Sequence, residues 1–250
     1  MSDNRAHARL SASGAYIWLN CTMSPILSEG IARKSSKWAD EGTSAHAYAE
    51  AQLQGEPCEE NPEFAKWTKI YVDYVNALIA KTPFHSIEKR VSLAPLWEKD
   101  GEVPPEKMFG TADFVALTPD RVLHVVDLKY GAGVPVEPNS PQLHYYGLGT
   151  VLSLPDSIAL PEAVCLTIVQ PRAAHPDGPI RHHTLPTVDL LHWGYSVLKP
   201  TVELIAEGDT SKLSVVVGNH CRWCPAASVS CPEKHKTKVA SARQEFDAVE

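Results

Sequence analysis

Two groups of residues in this sequence have types and spacings suited to chemistry. The first spans GTADFVAL (110–117) and VLHVVDLKYG (122–131). Asp113 lies in the first run, Asp127 near the end of the second, and Lys129 two residues further on. Side chains two apart on a strand share a face, so Asp127 and Lys129 project together. A tight turn at Pro119-Asp120 would fold the runs into a hairpin and bring Asp113 beside them. Two carboxylates at one place are hard oxygen ligands of the kind Mg²⁺ or Mn²⁺ prefers. A metal so held can activate water and stabilise charge on a phosphate being cleaved. A lysine alongside can position or deprotonate that water, or neutralise the phosphate oxygens. An isolated Asp-x-Lys is more often a solvated ion pair. Here Val122, Leu123, Val125 and Val126 make an apolar strand, and a carboxylate and an amine at its end are costly without a purpose.

Two further segments add to this group. Gln142 and Tyr146, in PQLHYYGLG, stand four apart and share one face of an expected helix, which follows the acidic strand directly. Upstream, Gly42 and His46 lie in DEGTSAHAYAE. Small alanines flank His46, so a metal can approach it, and neutral imidazole is a reasonable ligand beside carboxylates. A polar helix edge and a half-buried histidine are the ordinary readings of these residues when each stands alone.

The second group is Cys221-x2-Cys224-x6-Cys231, three soft thiolates within eleven residues. A fourth ligand is needed, and Cys21, at the end of ASGAYIWLNC, is the best choice. Four thiolates hold either Zn²⁺ or an iron–sulfur cluster, and spacing alone does not separate the two. Cys58 in a loop and Cys165 in an apolar strand read as ordinary cysteines.

The elements that must position these groups follow from pattern. Residues 11–20 predict a short helix with Ser11 or Ser13 as N-cap. Residues 37–54, free of proline and rich in Ala, Glu and Gln, predict another. From Asn61 to about Lys81, Phe64, Trp67, Tyr71, Tyr74, Val75 and Leu78 recur at three and four, an amphipathic helix opened by Pro62. Strands are expected at 86–93, 110–117, 121–129 and 163–169, a helix at 141–152 and another at 188–207. Residues 172–186 read as irregular or edge strand, 218–235 as the cysteine module, and the charged tail from Lys236 as frayed. Helices, three strands, helix, strand, helix: the order predicts an α/β (α+β) core with a central mixed sheet flanked by helices.

The chain has 250 residues, 44% hydrophobic and 21% charged. That suits one domain with a sizeable core and argues against disorder. No apolar run reaches the roughly 20 residues a bilayer needs, and the N-terminus lacks the apolar segment of a signal peptide. A soluble, cytoplasmic protein is expected, in which a disulfide framework is disfavoured. The net charge of −7 speaks against a general nucleic-acid coat protein. It is compatible with a local basic groove and an acidic site offset by metal.

In order and spacing, Gly42 with His46, Gly110-Thr-Ala-Asp113, Asp127-Leu-Lys129 and Gln142-x3-Tyr146 resemble the motif series of RecB-like PD-(D/E)xK nucleases. The group includes the nuclease domains of RecB and AddB, the CRISPR adaptation nuclease and viral exonucleases. The run Asp127–Val136, DLKYGAGVPV, is especially similar to a family of phage and prophage proteins. The resemblance covers roughly residues 11–235 and implies a restriction-endonuclease-like core forming one domain over 1–250. It implies that His46, Asp113, Asp127 and the Leu128 carbonyl hold Mg²⁺ or Mn²⁺, that Lys129 is the catalytic lysine, and that Gln142 and Tyr146 order the site or the DNA. Asp127 stands where many relatives have Glu. Glu88 is a candidate for a further acid and is kept outside this set. The one-plus-three cysteines resemble the iron–sulfur staple of the AddB and adaptation nucleases. That implies a 4Fe–4S cluster on Cys21, Cys221, Cys224 and Cys231, with Zn²⁺ as the lesser alternative, tying 11–21 to 218–235. The expected function is a DNA exonuclease acting on single- or double-stranded ends in phage-type recombination or end processing. It would work in a bacterial host cell, with a recombination or single-strand-binding protein as a partner. A non-catalytic DNA-binding protein of the same fold and a zinc-stabilised interaction protein are the alternatives.

Overall fold

The structure, a computed structural model, describes residues 8–32, 36–99 and 101–236; the tail expected to fray lies almost wholly outside them. The first helical segment opens at Ser11, whose hydroxyl accepts from the Gly14 amide. It is a 3-10 turn over Ala12–Gly14 running into one α-turn, α1 (Ala15–Trp18), rather than the continuous helix expected over 11–20. A second single turn, α2 (Ser24–Leu27), follows. Helix α3 (Lys37–Gln54) has Ser36 as N-cap, its hydroxyl accepting from the Ala39 amide, and ends at Gly55 in the left-handed region, where the missing Cβ removes the steric penalty. Helix α4 (Pro62–Ile79) starts at Asn61, whose carboxamide oxygen takes the Glu63 and Phe64 amides. The turn α5 (Pro95–Glu98), not foreseen from the sequence, precedes α6 (Pro141–Leu152), capped by Ser140. The helix expected over 188–207 is α7 (Thr187–Trp193) and α8 (Lys199–Glu207), joined by a π-helical turn at Gly194–Leu198. There the Gly194 Cα presses on Leu148, leaving no room for a Cβ.

Five strands form one sheet in chain order: β1 (His85–Ser92), β2 (Phe109–Leu117), β3 (Val122–Leu128), β4 (Ala163–Val169) and β5 (Ile180–Pro186). All neighbours are antiparallel except β3 and β4. A parallel pair needs a crossover, and α6 supplies it. The architecture is therefore the expected α+β one, a mixed sheet flanked by helices. Residues 180–186 form the edge strand.

The sheet separates two apolar layers. On one face α6, α7 and α8 pack with α1 on Val91, Val115, Leu123, Val125, Leu166 and Ile168. On the other, α3 and α4 bring Ala49, Tyr71, Val75 and Leu78 onto Phe114, Ala116, Val126 and Leu128. Helix α6 is the centre of the first layer: nine of its twelve residues are buried, as an all-round apolar helix must be. Gly149 lets it settle on β1, where a Cβ would stand 2.8 Å from the Val91 Cβ.

Alternation along β2 slips by one residue at the site. Ala112 and Val115 belong to one layer, Phe114 and Ala116 to the other. Opposite this slip, on β1, Glu88 has φ +50° and drops out of a ladder that pairs Ile87 with Phe114 and Lys89 with Ala112. The pairing stays two residues against two across this point, so no residue is inserted and the departure from regular strand geometry is local to Glu88. The register of β2 on β3 (Phe114 with Val126) and of β1 on β2 sets Glu88, Asp113 and Asp127 in one row across three strands.

A candidate metal centre on the sheet and a cysteine cluster

Asp113 sits at the slip in β2, and its Oδ2 accepts the Leu128 amide at 2.7 Å. That bond holds β2 and β3 together where their ladder ends. His46, from α3, closes over the pair. Its Nε2 lies 3.3 Å from Asp113 Oδ2 and 2.7 Å from the Leu128 carbonyl oxygen, and its Nδ1 lies 2.8 Å from the Gly42 carbonyl oxygen. Both ring nitrogens thus face carbonyl oxygens, a setting that favours the doubly protonated ring. Burial alone would depress its pKa. The hydrogen bond and charge of Asp113, with help from Gly42 and Asp127, outweigh burial and raise it to about 9. Burial pushes the Asp113 carboxyl up, but His46, the Lys129 charge and the Leu128 amide more than reverse this and hold it low.

Asp127 is buried, 3% exposed. Lys129 Nζ lies 2.8 Å from its Oδ2, at an angle that leaves this buried oxygen without a formed hydrogen bond. Burial, seconded by the Asp113 charge, raises the Asp127 pKa despite Lys129 and His46. Strand β3 ends at Leu128, one residue earlier than expected, but the Lys129 amide still donates to Val169 at 2.8 Å. Lys129 Nζ also donates to Gln142 Oε1 at 3.0 Å, and Gln142 Nε2 to the Tyr146 hydroxyl at 3.2 Å. Burial, more than the nearby Asp127, pushes the Tyr146 pKa well above its usual value. Gly110 makes room for this tyrosine: a Cβ there would stand 2.9 Å from Tyr146 Cε1. One connected set therefore runs from His46 through Asp113, Leu128 and Asp127 to Lys129, Gln142 and Tyr146.

The loop after Lys129 is pinned from below. Buried Gln170 donates to the Gly131 and Val134 carbonyls and accepts the Val136 amide. Buried Arg181 donates to the Val136 carbonyl and to Gln170. Arg172 pairs with Glu41 at 2.9 Å and lies over the Tyr130 ring, 4.5 Å from its centre.

Three neighbours escaped the sequence reading or were set aside in it. Glu88 shares a cleft with His46, Tyr71, Asp113 and Leu128; its strand pattern gave no sign of its positive φ. Tyr71 looks like any core residue of α4. Its pKa is raised by burial first and then by Asp113 and Asp127. The Arg172–Glu41 pair spans 131 residues, beyond any local pattern.

The cysteine module lies against the N-terminal turn. The Met23 amide donates to Ser214, the Ser214 amide to the Thr22 hydroxyl, and the Ser230 hydroxyl to Leu27. The rings of Tyr16 and His220 meet edge to face at 6.2 Å. Cys21 Sγ lies 3.6 Å from the Ser214 carbonyl oxygen. Burial raises its pKa, and the thiols of Cys224 and Cys221 add to this, so the three sulfurs are within electrostatic reach. Cys221 Sγ receives the Gly218 amide at 3.4 Å. Cys21, Cys221 and Cys231 are buried, and Cys224 half-buried. Cys165 and Cys58 stand apart, beside Thr167 and Gln52.

Among the described residues no three of His, Cys, Asp and Glu are already spaced as metal ligands. At the acidic site the described contacts are between protein groups: His46 Nε2 with the Leu128 carbonyl and Asp113, and Lys129 with Asp127. The donor set nonetheless fits a hard cation. It offers two carboxylates, a carbonyl and an imidazole whose other nitrogen is already oriented by a carbonyl, the arrangement that fixes the tautomer of ligating histidines.

The fold and site define an α+β protein with a buried acid–lysine–histidine centre at the end of its sheet. The chain belongs to the family described as a protein of unknown function, DUF2800, which it matches over residues 7–250. Among solved structures it is similar to a candidate exonuclease from Eubacterium rectale: 10% identity, 89% of this chain and 92% of that one, TM-score 0.43. It is also similar to SSO0001: 17% identity, 77% of this chain and 96% of that one, TM-score 0.35. Among the described residues no helix is long and apolar enough to cross a membrane.

Proposed function

We propose that this protein is a metal-dependent DNA nuclease. The observation that carries the reading is the convergence on one sheet end of His46, Asp113, the Leu128 carbonyl and Asp127, with Lys129 held between Asp127 and Gln142. His46, Asp113, Asp127 and the Leu128 carbonyl would hold Mg²⁺ or Mn²⁺. When bound, the metal supplies Lewis-acid stabilisation of the phosphate and a lowered pKa for water.

The chain's own residues do the rest. Lys129 has three N–H donors; Gln142 takes one, and the ion pair with Asp127 holds the ammonium in place, which leaves a donor for a phosphate oxygen or the attacking water. Tyr146 fixes Gln142, and Gln142 fixes Lys129, so the ammonium is preorganised where negative charge develops. The Gly42 carbonyl holds His46 Nδ1–H, which turns Nε2 toward the carboxylates.

Cys21, Cys221, Cys224 and Cys231 would hold a 4Fe–4S cluster, with Zn²⁺ as the lesser alternative. The proximity of Cys21 to Cys221 and Cys224 supports a shared ligand set across two hundred residues, and the Gly218 amide on Cys221 Sγ suits a thiolate. The role would be structural.

The test is cleavage of end-labelled single- and double-stranded DNA with Mg²⁺ or Mn²⁺ against EDTA. Metal-dependent cleavage by the wild type, abolished in Asp127→Asn with an unchanged circular dichroism spectrum, is the expected result. Wild-type cleavage rates in Asp127→Asn would refute the assignment.

A further inference from the structure

The core-facing stripe of α3 is covered along only half its length. Residues 38, 42, 45 and 49 follow one another along one face of a helix. Ala45 and Ala49, on the C-terminal half, are 0% and 1% exposed. On the N-terminal half, among the described residues, the same stripe is less covered, and Gly42 is half-buried. A Cβ on Gly42 would meet nothing within 4 Å among the described residues, and Trp38 is 71% exposed. Glycine inside a helix is unfavourable relative to alanine, and no described neighbour requires one at 42. Yet Gly42 stands one turn before His46, whose ring touches Leu128 and Asp113. Indole, bare backbone and the acidic centre thus follow at four-residue steps.

The spacing fits a nucleic-acid strand. Eight residues of α-helix rise about 12 Å, three to four stacked base steps at about 3.4 Å each. The charges also fit. Lys37 adjoins Trp38, and both lie at the positive end of an eighteen-residue helix, which attracts phosphate. Of the nearby acids, Glu41 is neutralised by Arg172, and Asp40, two residues beyond Trp38, falls on the far side of the helix.

We infer that Trp38 is a stacking platform for an unpaired nucleobase of the strand being cut, with Gly42 leaving room for the sugar–phosphate backbone between that base and the His46–Asp113 centre. The inference rests on the nuclease reading and deepens it by naming the substrate class. An indole face can stack only on a base whose own face is free. That selects single strands and frayed ends over the interior of a duplex, without sequence preference, because every base has a π-face.

The experiment compares wild type, Trp38→Phe and Trp38→Ala. Binding of fluorescein-labelled oligothymidylate is followed by anisotropy in EDTA, where nothing is cut. Cleavage of the same oligonucleotide is followed with Mn²⁺. Trp38→Ala should weaken binding roughly 5- to 150-fold, the loss of one base–aromatic stack, and raise KM while kcat stays within about twofold. Trp38→Phe should keep most of the affinity. Cleavage by the wild type together with unchanged binding and KM in Trp38→Ala overturns the inference and leaves the nuclease reading standing. Equal losses in Trp38→Phe and Trp38→Ala overturn it too, since the phenyl ring still stacks. A wild type that cuts no DNA with either metal overturns the nuclease reading and this inference with it.

Discussion

Loading the acidic centre with metal should expel a proton from His46, and the number expelled can be worked out. In the metal-free protein the imidazolium bridges Gly42, Leu128 and Asp113, and its pKa is about 9. A metal ligand must be the neutral ring. At pH 8 a group with pKa about 9 is about 0.9 protonated, whereas an ordinary histidine of pKa about 6.5 is about 0.03 protonated. Mn²⁺ binding at pH 8 should therefore release close to one proton per site, and apparent affinity should rise about tenfold per pH unit from 7 toward 9 and then level off. The assay is isothermal titration calorimetry of Mn²⁺ into metal-free protein in two buffers of different ionisation enthalpy. His46→Ala should bind more weakly and release almost nothing. Binding by the wild type at pH 8 with a proton count near zero would refute both the raised pKa and the role of His46 as a ligand.

The same pair makes the metal-free protein sensitive to base. Because the His46 pKa is raised on folding, its stabilisation is full below the unfolded value near 6.5 and disappears as pH climbs through about 9. Thermal melts in EDTA should show Tm falling across that window, and Asp113→Asn should remove the fall. Lys129→Met should leave the buried Asp127 carboxylate without its cation, abolish cleavage and cost about 1–3 kcal/mol by urea denaturation; cleavage at the wild-type rate would contradict the role given to Lys129. Gly110→Ala should drive Tyr146 from its place and lower kcat while the melting curve moves only a few degrees; unchanged kcat would show that Tyr146 does not order the site. Anaerobically purified protein should be brown with roughly four irons per chain, as that cluster type requires. Cys21→Ser should lose the colour and Cys165→Ser should keep it; colourless protein with stoichiometric zinc would replace the cluster by Zn²⁺.

Much of this arrangement was legible in the sequence because it depends on short periods. The spans of α3, α6 and β4 match the expected ones: α3 as a proline-free stretch rich in Ala, Glu and Gln, α6 opening at Pro141, and β4 between Pro161 and Pro171. The pairing of Asp127 with Lys129 follows from a period of two, and Gln142 with Tyr146 from one helical turn. What was not legible depends on contacts between distant segments. The slip at Asp113 and the left-handed φ of Glu88 lie opposite each other on two strands, and neither strand's pattern shows them alone. The α7–α8 helix read as continuous because its apolar pattern persists through the π-turn, which the close approach of Gly194 to Leu148 accommodates. The pinning of the 131–136 loop by Gln170 and Arg181 joins residues up to 45 apart. Cys21 was chosen as the fourth thiolate because it ends the first helical segment, and likeness to other proteins supported that choice; no short period links it to residues 221–231.

The order of the strands in the sheet bears on how the chain acquires its shape. Every strand lies beside its sequence neighbour, so each pairing closes a short stretch of chain, and only β3 with β4 must wait for the α6 crossover. Local closure of this kind is fast. All the residues proposed to touch metal or phosphate precede β4, and the last bond that orders them, from the Lys129 amide to Val169, forms when β4 docks. Residues 214–230 join residues 22–27 across 192 to 203 residues, the longest closure by hydrogen bonds among the described residues. The cysteine module is therefore the natural unit to assemble last and to open first. Hydrogen exchange should find residues 214–231 exchanging by opening events that leave the amides of β2 and β3 protected.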